Sequence, residues 1–335
     1  MQFEFQDKVN AVNYCVSLSS KMQVLEDENV DQILRSQYII DEFDHQKLQR
    51  IAEELCDPTK LNIMLRSKSL EGETNQVEEW YSTKYRVEDF SPSLLDRIVH
   101  PNVEIRSQKL DLPPPNNLIP KNFGILPKNE EFSREPTLLK QWDSIDLWYK
   151  KDDRFDRPKS KVSMKIYTND CQMGRTVDSR VFVNLWAHIQ NEYLREFNYM
   201  ANCANLSFSV TPMYDNINFT WSGFNDSMPV YIEESIGRLL SMKDESVSES
   251  LREIFEQVKE KLLADWKNFY YEQSYQQAFA LFESLMLNLS LEQRQMRKHL
   301  ENYTFEDFQQ QHRDWLMSGR YVWYVTGNYG HEEAI

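Results

Sequence analysis

Twelve prolines punctuate the 335 residues, and nine of them fall between Pro92 and Pro158. Each one fixes φ and removes a backbone donor, so helix interiors and central strands avoid these positions. The run from Asp111 to Pro136 reads as a semi-rigid, largely extended connector. It still carries Leu118, Ile119, Phe123, Ile125 and Leu126, which suit a strap lying across a surface better than a free linker. The chain thus divides into residues 1–110, a connector over 111–136, and residues 137–335.

Ahead of the connector, Asn29 to Phe43 has a helical pattern. Asp44 is placed to cap a second helix reaching Leu55, whose stripe of Leu48, Ile51, Ala52 and Leu55 should be buried. Residues 61–68 read as a strand and 78–85 as extended. Ser91-Pro92 opens a short helix with Pro at its first position. Beyond the connector, 145–151 and 161–168 read as the arms of a hairpin, and 206–212 with 217–223 as a second hairpin. A long amphipathic helix is expected over 176–200, and further helices from Asp226 or Ser227, over 248–271, and within the runs AFALFESLMLNL and LEQRQMRKHL. Thr304 should cap another, ahead of a last strand at 321–328. The helix–breaker–strand order of 43–68 recurs in 305–328 as a weak internal repeat, so both parts should be α+β units. The first begins midway through that order, as a piece of something longer would.

Little in the chain looks catalytic. The net charge is −15, which disfavours a phosphate-binding surface, so no nucleic-acid partner is expected. No 18-residue apolar run suggests a membrane span. The four cysteines at 15, 56, 171 and 203 form no CxxC pair and read as small hydrophobes in a reducing, cytoplasmic setting. Five N-x-S/T matches begin at Asn205, Asn218, Asn225, Asn288 and Asn302 and read as chance. The six histidines at 45, 100, 188, 299, 312 and 331 include no pair at metal-ligand helical spacing, and His331-Glu332-Glu333 lacks a second His. His188 reads as a hydrogen-bonded structural residue, and His299 and His312 as solvated. Asp152-Asp153 and Glu233-Glu234 read as surface pairs. Arg294, Arg297, Lys298 and His299 form one basic patch, a solvated helix face or an anion contact. Phe269, Tyr270, Tyr271, Tyr275 and Phe279 suit core packing, with a peptide-contact wall as the alternative. No catalytic, cofactor-binding or metal residue is assigned.

Six runs then carry a resemblance: SKSLEG at 67–72, EEWYSTKY at 78–85, NNLIPKNFGILP at 116–127, LWYKKDDRFDRPK at 147–159, Gly223-Phe224 and Gly327-Asn328. In order and spacing the chain resembles the insulinase, or pitrilysin-like (M16), family of zinc metallopeptidases. The resemblance implies a partial second domain over 1–110, the connector, and a complete third domain over 137–335. Each unit should then have an antiparallel or mixed sheet packed against helices. It implies that zinc and its ligands belong to a separate catalytic domain, with no cofactor in this chain. The expected partners are the catalytic and C-terminal domains of such an enzyme, a peptide substrate and, through exposed apolar surface, a second copy of the chain. Two functions follow: a non-catalytic middle module that shapes a peptide chamber, or a stand-alone peptide- or protein-binding scaffold reusing the fold. An unrecognised hydrolase is the remaining alternative.

Overall fold

The computed structural model describes residues 4–5, 9–25, 27–36, 38–40, 42–70, 72–100, 114–127, 134–168, 176–213, 216–286, 293–315 and 319–335. It divides into two units, Met1–Pro114 and Pro115–Ile335.

In the first unit α1 (Ala11–Val24) begins at Asn10, whose side chain accepts from the Val12 N–H. A 3-10 turn at Asp27–Gln32, kinked at Asn29 (φ −114°, ψ 16°), stands where a helix over 29–43 was expected. α2 (His45–Leu55) is capped by Asp44 as its sequence dictates. Its stripe is not buried: Leu48, Ile51, Ala52 and Leu55 are exposed. No hydrophobic side chain is buried among the described residues of this unit, because its helices have no opposing layer. For the same reason 61–67 forms no strand, and Ile63, Met64 and Leu65 stand exposed. Among the described residues no neighbour offers a ladder for its backbone. Glu4 and Phe5 of the N-terminal run lie in a turn. The 78–85 run closes a small antiparallel ribbon, β1 (Gln76–Val77) with β2 (Lys84–Tyr85). Its tip is held by the Glu78 carboxylate on the N–H groups of Trp80 and Tyr81, both of which project into solvent. α3 (Pro92–Val99) starts at Ser91, as expected.

The second unit holds a mixed six-stranded sheet. Its strands are β3 (Thr137–Gln141), β4 (Ile145–Lys151), β5 (Lys159–Thr168), β6 (Ser207–Pro212), β7 (Ile217–Phe224) and β8 (Gly319–Gly327), in the order β3-β4-β8-β5-β7-β6. All five expected strands join it, and β3 adds an edge that the sequence reading missed. The hairpin expected from 145–151 and 161–168 is corrected, because β8 lies between those strands, parallel to β4 and antiparallel to β5. The seven residues 152–158 span two strand spacings, about 10 Å. The hairpin of β6 with β7 forms as read.

Helices cover one face. α4 (Val177–Tyr193) begins in a capping box between Thr176 and Ser179, and buries Val181, Leu185, Trp186 and Ile189. The long helix expected over 176–200 breaks at Leu194 (φ −91°, ψ 4°), and α5 (Arg195–Cys203) continues from it. α6 (Met228–Ser241) lies on β7, where Trp221 Nε1–H donates to Ser235 Oγ (3.3 Å). α7 (Ser248–Asn268) buries Leu251, Phe255, Val258 and Leu262 against α4 and ends in a 3-10 turn at 269–271. Then come α8 (Ser274–Met286), α9 (Gln293–Asn302) and α10 (Phe305–Trp315). Thr304 and Asp307 cap α10 reciprocally. The repeat between the two units survives in its helices, α2 and α10, but only the second copy has its strand.

Candidate functional site

Strand alternation sorts the sheet into two faces. Leu147, Tyr149, Val162, Met164, Ile166, Phe219, Trp221 and Val325 point to the helices and are buried. The register places the opposite face in rows. One row runs Trp148, Tyr324, Ser163, Thr220, Ser209. A second runs Lys150, Thr326, Lys161, Ser222, Ser207, and a third Asp146, Val322, Lys165, Asn218, Thr211. This face is hydroxyl-rich, and Lys161 and Lys165 are exposed on it. Its carboxylate in these rows, Asp146, is tied to Arg320 and to Gln141 Nε2 (3.0 Å). The Arg320 hydrogen bond, then that of Gln141, holds the Asp146 carboxyl below the usual range. In a chain of charge −15, this surface is locally cationic.

A cleft of ≈ 540 Å³ opens between the start of α4, α9 and α10, lined by Asp178, Lys298, His299, Asn302, Tyr303 and Asp307 among others. His299 Nε2 lies 3.0 Å from Asp178 Oδ1, and Gln311 Nε2 donates to Asp178 Oδ2 (2.5 Å). Asp307 accepts from the Thr304 N–H and hydroxyl, and those bonds lower its pKa. Burial raises the Tyr303 phenol, with Asp178 and Asp307 adding to the shift. Asp307 is thus held as a capped anion, the opposite of a general base poised near neutrality. His299, expected to be solvated, is therefore half-buried and paired.

His312 corrects the same expectation more sharply. It is buried beside Phe308, and its Nδ1 accepts from Trp186 Nε1–H at 3.2 Å. Burial, and secondarily the charge of Lys243, push it down to about 4. Its position on α10 facing α4 could be found only by knowing that those helices meet. His188 is structural as read, its Nδ1 2.8 Å from Asn184 O. His45, His100 and His331 are exposed. Asp152 accepts from the Arg154 N–H, and Glu233 is exposed on α6. In the basic patch Arg297 pairs with Glu301 (3.2 Å), while Arg294 and Lys298 face solvent.

The aromatic run reverses its core-packing expectation. Tyr270, Tyr271, Tyr275 and Phe279 are exposed, as are Phe282, Leu285 and Met286 on α8. The helix carries an apolar stripe that no layer covers among the described residues. Cys15, Cys56 and Cys203 are free and exposed rather than packed as small hydrophobes, and Cys171 lies outside the described residues. No group of three or more His, Cys, Asp or Glu among the described residues could hold a metal ion, so these residues do not fit a catalytic zinc.

The comparisons with known proteins agree with this architecture. A family model described as the middle or third domain of peptidase M16 matches residues 3–316. Insulin-degrading enzyme of Homo sapiens is 25% identical over 302 residues, covering 90% of this chain and 28% of the human protein. The A-factor-processing enzyme of Saccharomyces cerevisiae is 28% identical over 284 residues, covering 83% of this chain and 26% of that protein. The putative zinc protease mug138 of Schizosaccharomyces pombe is 26% identical over 335 residues, covering 99% and 33%. Crystalline pitrilysin shares the fold, with a TM-score of 0.69 at 18% identity over 99% of this chain and 34% of that one. The chain spans about a third or less of the length of these relatives. A match over nearly its whole length places the chain in the M16 peptidase family, as a middle or third domain of that family's architecture.

Proposed function

We propose that this chain is the non-catalytic middle part of an insulinase-like zinc metalloendopeptidase. The open face of its sheet lines the space that takes peptide, and its exposed apolar stripes dock the other domains. The zinc and the residues that activate water belong to the catalytic domain of such an enzyme. The carrying observation is the open sheet face, whose hydroxyls, amide and lysines suit the backbone and acidic side chains of an extended peptide. The uncovered stripes of α2 and α8 support docking, since apolar surface of this extent marks an interaction site. Three free, exposed thiols suit a reducing compartment such as the cytoplasm.

The test mixes the chain with a separately produced catalytic half and follows cleavage of an unstructured acidic peptide, with and without a chelator. Chelator-sensitive cleavage above that of the catalytic half alone is expected. Lys161→Glu with Lys165→Glu should then raise KM for that peptide several-fold while leaving association with the catalytic half intact. If the chain binds acidic peptide but never associates with a catalytic half, the stand-alone scaffold is the correct reading.

A further inference from the structure

Four of the six runs that carry the family resemblance lie in the second unit: 116–127, 147–159, Gly223-Phe224 and Gly327-Asn328. They are far apart in sequence and meet at one end of the sheet. The last two bring glycines where the backbone demands them. Gly327 has φ +128°, and a Cβ there would lie 2.5 Å from Lys159 O and Ser160 Cα. Gly223 has φ +144° and would place a Cβ 2.4 Å from Asn205 O.

Just beyond Gly327, Asn328 is buried and gathers three segments. Its N–H donates to Lys159 O (3.0 Å), at the start of β5. Its Oδ1 accepts from the Leu126 N–H (2.8 Å), and its Nδ2 donates to Gly124 O (2.8 Å) and to Asn225 Oδ1 (3.3 Å). Asp226, next to the β7 end, does not cap α6. Its Oδ2 instead accepts from the N–H groups of Lys121 (2.8 Å) and Asn122 (3.1 Å). At the front of the segment Asn116 Nδ2 donates to Met200 O (2.7 Å), and Leu118 is fully buried. Phe123 packs edge-on to Phe224, with ring centroids 5.4 Å apart, and Lys151 Nζ donates to Pro127 O at the far end. Pro120 and Pro127 deny the segment a regular ladder, so side chains of the domain supply its partners.

We propose that residues 116–127 are a latched strap, held by Asn328 and Asp226 so that it moves as part of the second unit and comes free only as a whole. Any reorientation of this unit is then taken up before Asn116, not within the proline-rich segment that composition alone marks as a linker. This goes beyond the function proposed above and does not depend on peptide binding.

Amide hydrogen exchange on the intact chain tests it. In the wild type the amides of Lys121, Asn122 and Leu126 should be protected despite lying outside any helix or strand. Asp226→Ala alters an exposed side chain and leaves the Leu126 acceptor in place. It should nevertheless speed exchange at Leu126 as well as at Lys121 and Asn122, by roughly ten- to a hundredfold, with β5 and β7 unchanged. Asn328→Ala should have the converse effect on Lys121 and Asn122. Wild-type exchange at unstructured rates, or acceleration by Asp226→Ala confined to Lys121 and Asn122, would overturn the latch. If Asn328→Ala also loosens the sheet, the Asp226→Ala result decides alone.

Discussion

His312 should make the second unit acid-sensitive in a way that one substitution removes. Its Nδ1 can accept from the Trp186 indole only while unprotonated, and its folded pKa is about 4 against an ordinary 6.5. The folded value lies below the unfolded one, so the native state disfavours the proton. The contribution is complete above pH 6.5 and is lost as pH falls toward about 4. At 1.36 kcal/mol per unit, this one group costs about 2 kcal/mol by pH 5 and about 3 kcal/mol by pH 4. His312→Phe keeps a flat ring against Phe308 but leaves the buried Trp186 N–H without its acceptor, a penalty of roughly 1–3 kcal/mol at every pH. The variant should be less stable than the wild type at pH 7.5 and draw level near pH 5. Urea midpoints read by tryptophan fluorescence at several pH values between 7.5 and 4.5 measure the difference, in which carboxylate titrations common to both proteins cancel. A stability difference that stays constant across that range would refute the assignment of the buried neutral imidazole.

Gly327→Ala should cost about 2 kcal/mol or more, because the new Cβ meets backbone at 2.5 Å in a left-handed conformation, and thermal unfolding measures it. Phe279→Ser with Phe282→Ser should leave stability within about 0.5 kcal/mol yet lower self-association, read by light scattering over a concentration series. Amides of α2 should exchange much faster than those of β5, since no hydrophobic side chain among the described residues of the first unit is buried. Metal analysis after dialysis should find far less than one zinc per chain, and a stoichiometric zinc lost on mutating two histidines would contradict the reading of those residues.

What the sequence settled by itself is the set of features that are local in the chain. The caps of α2, α3 and α10 at Asp44, Ser91 and Thr304 need only a few neighbouring residues, and so do the strands at 145–151, 161–168 and 217–223. The family, too, was legible, because short runs at set spacings carry it. Three things were decided only by tertiary structure. Strand neighbours are a long-range choice: β4 and β5 alternate just as hairpin arms do, yet β8, about 150 residues later, separates them. Burial belongs to the neighbour as much as to the residue. An apolar stripe on α8 and one on α4 look alike in sequence, but α4 meets α7, α9 and the sheet while the Phe279, Phe282 and Leu285 side chains of α8 stand exposed. His312, flanked by polar residues, is buried because Trp186 and Phe308 come to it. The strand expected at 61–68 fails for the complementary reason, since a backbone ladder needs a second strand and none of the described residues of the first unit supplies one to it.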